Sequence, residues 1–199
     1  MVKKRVVALY AIAIAMPVPV NASDANTLPS LTGEWTTDCL PIGKNGRHGY
    51  VTKIKFADDM LTATSQLYAK NTCQTPTVQV NYSGELMADE SRETYIDFSH
   101  KVMKITFTLT ADDVTAFYNK DFQTTGCGIA DWKTNVAMSV AGRSCGPFSF
   151  AEEGTVLYDR AWIEGDQLCF GNFPSLWTAI SAAQRPHKPI EVVFHRTGS

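Results

Sequence analysis

The chain has 199 residues, 44% of them hydrophobic, with a formal net charge of −2. That length fits one domain able to bury its own hydrophobic core. Lys and Arg form no run beyond the first residues, which argues against nucleic acid or an anionic membrane surface as a partner.

Residues 1–22 have the three-part layout of a secretory signal peptide. Lys3, Lys4 and Arg5 form a positive head, Val6 to Val20 are apolar, and Val20-Asn21-Ala22 puts small side chains where a signal peptidase needs them. The apolar stretch is short for a transmembrane helix, and Pro17 and Pro19 would break its end. No Cys follows the cleavage point, so a lipid anchor is not expected. Cleavage after Ala22 leaves 177 residues, removes three cations and takes the net charge to −5. The expected product has no membrane span and is periplasmic or secreted. Residues 23–30 read as a flexible polar leader, and 31–199 as a single β-barrel domain.

From Leu31 onward, apolar residues alternate with polar ones. Tyr50, Thr52, Ile54 and Phe56 share one parity, as do Val78, Val80, Tyr82, Gly84 and Leu86. Met103, Ile105, Phe107 and Leu109 continue the pattern. A period of two is that of strands with one buried face. The parity of Ile96 and Phe98 differs from that of Met103 onward, so a bulge or tight turn is expected between Ser99 and Lys101. Strands are predicted over 33–39, 49–57, 60–69, 76–87, 93–109, 155–163, 167–172 and 190–196. Asp58-Asp59 and Glu164-Gly165-Asp166 supply hairpin turns. Two short helices are expected. One opens on a capping box at Thr110-Ala111-Asp112-Asp113 and runs to about Asn119; the other is capped by Ser175 and ended by Pro186.

Eight strands in sequential order predict an all-β fold, an antiparallel meander closed into a barrel, with an open β-sandwich as the alternative. In such a meander the end of the first strand and the turn after the third share a rim. Cys39 and Cys73 occupy those places and are expected to pair. Cys127 and Cys145 would staple the Gly-rich segment 120–154. Cys169 is left over, in the apolar context Leu168-Cys169-Phe170, and reads as a buried, inert thiol.

Gly33-Glu34-Trp35 opens the first strand, and Arg196 lies near the end of the last. These ends resemble those of lipocalins and related calycin barrels, in which such a Trp closes the floor and an Arg lies across its ring. The resemblance implies a structural role for Gly33, Trp35 and Arg196. Tyr158-Asp159-Arg160 does not reproduce the family's middle motif. Over residues 31–87, Trp35…Cys39, Tyr68…Cys73-Gln74-Thr75-Pro76 and Tyr82-Ser83-Gly84 also resemble the adenomatosis-polyposis-coli down-regulated-1 domain and small secreted bacterial relatives. That likeness implies an extracellular lipocalin-like barrel with a disulfide.

No catalytic constellation emerges. His48, His100, His187 and His195 are scattered without metal-ligand spacing, and no Gly-x-Ser-x-Gly or phosphate-binding Gly loop is present. No metal, cofactor or enzymatic activity is expected. The pairs Asp58-Asp59, Asp112-Asp113 and Glu152-Glu153 read as turn, helix-start or opposite-face residues. Trp132, Trp162 and Trp177 with Tyr68, Tyr82, Phe107 and Phe170 form either a pocket lining or plain core. Leu176 and Trp177 lie on the segment that either caps the barrel mouth or packs outside it. The expected function is binding of a small apolar molecule or lipid, and the alternative is a protein partner held at the rim. A hollow interior favours the first and a filled one the second.

Overall fold

The computed structural model describes residues 28–87, 92 and 94–197. The signal peptide read at 1–22 and the first residues of the leader lie outside them. Eight strands follow one another: β1 (Gly33–Thr37), β2 (His48–Ala57), β3 (Met60–Tyr68), β4 (Pro76–Met87), β5 (Ile96–Leu109), β6 (Val156–Glu164), β7 (Gln167–Phe170) and β8 (Phe194–Thr197). Each pairs antiparallel with the next, and β1 pairs with both β2 and β8. The sheet therefore closes on itself, which selects the barrel over the β-sandwich.

The alternation places the side chains as expected along most of the wall. Tyr50, Ile54 and Phe56 of β2 and Val78, Val80 and Tyr82 of β4 are buried inside. Asp58 and Asp59 have φ of 50° and 60°, the left-handed pair that a tight hairpin between Ala57 and Met60 requires. The first strand stops at Thr37 and the last starts at Phe194, because Cys39 and residues 190–193 belong to loops at the barrel mouth.

Three expectations are corrected. The parity change in β5 does not fall between Ser99 and Lys101: Ser83 pairs with Lys104 and Gly84 with Val102, so Met103 is the extra residue. Val102 is thus buried and Met103 is 48% exposed, the reverse of the alternation expected there. The first helix, α2 (Asp112–Lys120), has Ala111 and not Thr110 at its N-cap, with no side-chain cap bond. No helix forms at 175–183; Ser175 takes φ 71° and only Ala182–Gln184 make a 3-10 turn. A buried hydrogen bond from Trp177, described below, sets the course of that segment.

One end of the barrel is sealed. The helical turn α1 (Leu28–Leu31) crosses it, so the end of the expected flexible leader is ordered. The Trp35 indole N–H donates to Leu31 O (2.8 Å), and the Arg196 guanidinium lies 4.1 Å over the Trp35 ring. Arg196 also donates to Thr32 O (2.7 Å) and Ser30 O (2.9 Å), so one residue ties α1 to β8. A Cβ at Gly33, whose φ is +120°, would meet that guanidinium at 3.0 Å. Above this floor Phe56, Phe98, Phe170 and Phe194 pack ring to ring. Burying each contributes about 1.5–3 kcal/mol.

Candidate functional site

The opposite end carries the long connections 38–47, 69–75, 110–155 and 171–193. Cys39 and Cys73 are bonded there, as expected from their shared rim, with Cα atoms 6.0 Å apart. Gly49 makes room for that bond, since a Cβ would stand 2.5 Å from Cys73 Sγ. Asn71 N–H donates to Arg47 O (3.1 Å), and His48 Nδ1 lies 3.1 Å from Ala69 O, so the two loops are joined at several points.

The insertion 110–155 lies against β5. Its residues Ala137–Ser139 pair with Thr106–Thr108, extending the wall beyond the end of β6. Cys127 and Cys145 are bonded, and Ser144–Cys145 pairs with Phe148–Ser149. Trp132 is core to this unit, with its ring on Tyr118 and its N–H on Gly126 O (2.9 Å).

Residues 171–181 form a strap that enters the mouth. Trp177 is 2% exposed; its ring meets Tyr82 and His100 edge-on at centroid distances of 4.9 and 4.5 Å. Its N–H donates to Asp159 Oδ2 at 2.9 Å. Asn172 N–H donates to Asp159 Oδ1 (3.0 Å), and its side-chain amide reaches the same oxygen at 3.3 Å. The Ser175 hydroxyl joins Ser65 and through it Thr52. A carboxylate taken out of water demands such donors. Burial nevertheless pushes the Asp159 carboxyl up to about 7, against the lowering effect of those hydrogen bonds. His100 is fully buried, shares a hydrogen bond between Nδ1 and the Tyr82 hydroxyl, and is held down at about 3 by desolvation. It is therefore a neutral imidazole. The barrel interior is filled by these and the other buried side chains, the outcome that favours a partner held at the rim over a ligand enclosed inside.

Among the described residues, depressions of about 470 and 480 Å³ lie on the outer wall, around Lys53 and around Trp162, and a third, apolar one lies at the rim. Ile42, Gly43, Tyr50, Phe148, Phe173 and Leu176 enclose a depression of about 340 Å³. The Phe173 ring stands edge-on to Tyr50 at 5.0 Å and forms one wall. Beneath it, Tyr50, Phe148 and Leu176 separate the cleft from a gap of about 10 Å³, space for one water at most. Burial raises the Tyr50 hydroxyl's pKa, against the lowering influence of the nearby Ser65, Ser175 and Thr52. Apart from that hydroxyl, every wall of the cleft is apolar.

The residues singled out from sequence are divided among three places. Trp177, Tyr82, Phe107 and Phe170 are inside the barrel; Trp132 is in the insertion; Trp162 faces outward and pairs across the sheet with Cys169. Cys169 is half-buried on the outer wall, not sealed in the core, because Leu168 and Phe170 take the inward parity of β7. Burial first, and then the Glu164 charge, raise its pKa, so the thiol is protonated and a poor nucleophile. Among the described residues, no group of three His, Cys, Asp or Glu side chains is placed to hold a metal ion. No described helix is long and apolar enough to cross a membrane. Sequence reasoning missed Asp159 and the cleft residues Ile42, Phe148 and Phe173. For Asp159 a signal existed: it shares the inward parity of Leu157 and Ala161. Neither a protein-family model nor a curated protein matches the chain.

Proposed function

We propose that this chain is an exported, lipocalin-like binding protein that holds a small apolar molecule or a lipid chain at the barrel rim and performs no catalysis. The observation that carries the reading is the rim cleft. Its volume of about 340 Å³ falls within the range of small-molecule sites, roughly 300–1,000 Å³, which are lined mainly by apolar side chains. The floor arrangement of Gly33, Trp35 and Arg196 supports the calycin likeness. Two disulfides support a periplasmic or extracellular setting. A binding role also agrees with the interior chemistry, because His100 and Asp159 are both 0% exposed and sit out of reach of a substrate.

A second reading is a protein-binding module acting through the same end. Phe117 (56% exposed) and Phe122 (38%) on the insertion and Ile180 (63%) on the strap favour it, as does the filled interior. Titration of the mature protein with an environment-sensitive apolar dye separates the two. Saturable binding, lost in Phe173→Arg with the fold intact by circular dichroism, supports the cleft. Dye binding unchanged by Phe173→Arg overturns it and leaves the protein-partner reading.

A further inference from the structure

We propose that the ligand of the rim cleft is an anionic amphiphile: an unbranched alkyl chain seated in the cleft, with a carboxylate head held at the corner formed by Lys44, Arg47 and Lys70. This rests on the reading that the cleft binds apolar compounds, and it names the class.

The cleft offers a ligand little polar anchorage, since Tyr50 carries the one hydroxyl in its lining and the remaining walls are aliphatic, aromatic or glycine. Orientation must then come from the edge. Along the wall Ile42-Gly43, the chain passes directly into Lys44 and the turn Lys44–Gly46, with Arg47 next. The loop carrying Lys70 is fastened to this one by the Cys39–Cys73 bond, by Asn71 N–H on Arg47 O and by His48 on Ala69 O. The three cations therefore share one corner, and all three are exposed. Asp38 is the lone carboxylate in segments 38–47 and 69–75, although the whole chain is net acidic. Among the described residues, none of the three cations is paired with a carboxylate; the ion pairs lie elsewhere, at Glu34–Lys55 and around Asp97. The Arg47 Nε–H is engaged by His48 Nε2 at 2.7 Å, which steadies the side chain and leaves its terminal nitrogens for an anion. Because a disulfide and backbone hydrogen bonds fix the corner, little order has to be created on binding.

Size selects the tail. A methylene takes up about the space of one water, so the cleft accommodates roughly ten carbons. Decanoate, used below its micellar concentration, is the probe, with decanol as its uncharged counterpart. At low salt the mature, disulfide-bonded protein should bind decanoate at least about threefold more tightly than decanol, the range open to exposed charge contacts. The Lys44→Ala/Arg47→Ala/Lys70→Ala triple variant should erase that preference while leaving decanol affinity within about twofold, and added salt should do the same to the wild type. Equal affinity for the two probes overturns the anionic class while leaving apolar binding in place. So does a decanoate preference that survives in the triple variant. A protein that ignores both probes yet sediments with phosphatidylglycerol vesicles takes a bilayer surface in place of a free amphiphile, which also overturns the proposal. Binding of neither probe nor the dye removes the proposal together with the function it rests on.

Discussion

Replacing Asp159 by Asn tests how the strap is fastened. In the folded chain burial raises this carboxyl from 3.8 to about 7. A group whose folded pKa is raised contributes most below its unfolded value, and that contribution is lost as pH climbs through the folded value. Between about pH 4 and pH 7 the wild type should therefore lose stability. The limiting slope is about 1.4 kcal/mol per pH unit, and the total is on the order of 4 kcal/mol. Asn cannot titrate, so this component disappears in Asp159→Asn. The variant carries its own pH-independent cost of about 1–3 kcal/mol, because an amide N–H₂ must face one of the donors now served by carboxylate oxygens. The wild type should then be the more stable protein at pH 4.5, and the gap should narrow or reverse by pH 8. The assay is urea unfolding at a series of pH values with disulfides intact, plotted as the difference between the two proteins so that the other carboxylates cancel. A difference that stays constant across the window would refute the reasoning, because Asp159 would then titrate alike in the folded and unfolded states.

Other parts of the account are checked more simply. Trp35→Ala removes the aromatic plate between Leu31 O and Arg196 and should cost about 3–5 kcal/mol, read as a fall in melting temperature. Cys39→Ser/Cys73→Ser opens a link spanning 34 residues of sequence and should cost about 4 kcal/mol by chain entropy, measured by denaturant unfolding. Deleting Met103 removes the extra residue of β5 and leaves Val102 and Ile105 two positions apart, facing inward as before. The protein should fold with a near-native spectrum, whereas deleting Ile105 should not be tolerated, because the shortened strand then places Lys104 at the buried inward position.

Much of the barrel was legible because a closed meander imposes period two on every strand, and the Cys39–Cys73 pair followed from which turns share a rim. The bulge was expected in kind but misplaced. Val102 and Met103 are both apolar, and hydropathy cannot choose between them; the choice is made by cross-strand pairing with Ser83 and Gly84. The strap was misread as a helix because the spacing of Trp177, Ile180 and Ala183 fits one. Its actual course is set by long-range bonds from Trp177 and Asn172 to Asp159, which no local pattern carries. The cleft was illegible for a related reason. Its walls come from the segment after the first strand, from β2, from the stapled insertion and from the strap, and only closure of the barrel brings them together.

The central claim is that the rim cleft holds a small apolar compound. Native mass spectrometry of the mature protein purified from its own host tests it most directly. The account predicts a retained adduct in the mass range of a single small amphiphile, present in the wild type and absent from Phe173→Arg. An apo mass in both proteins, or a retained polypeptide in place of the small adduct, would contradict it.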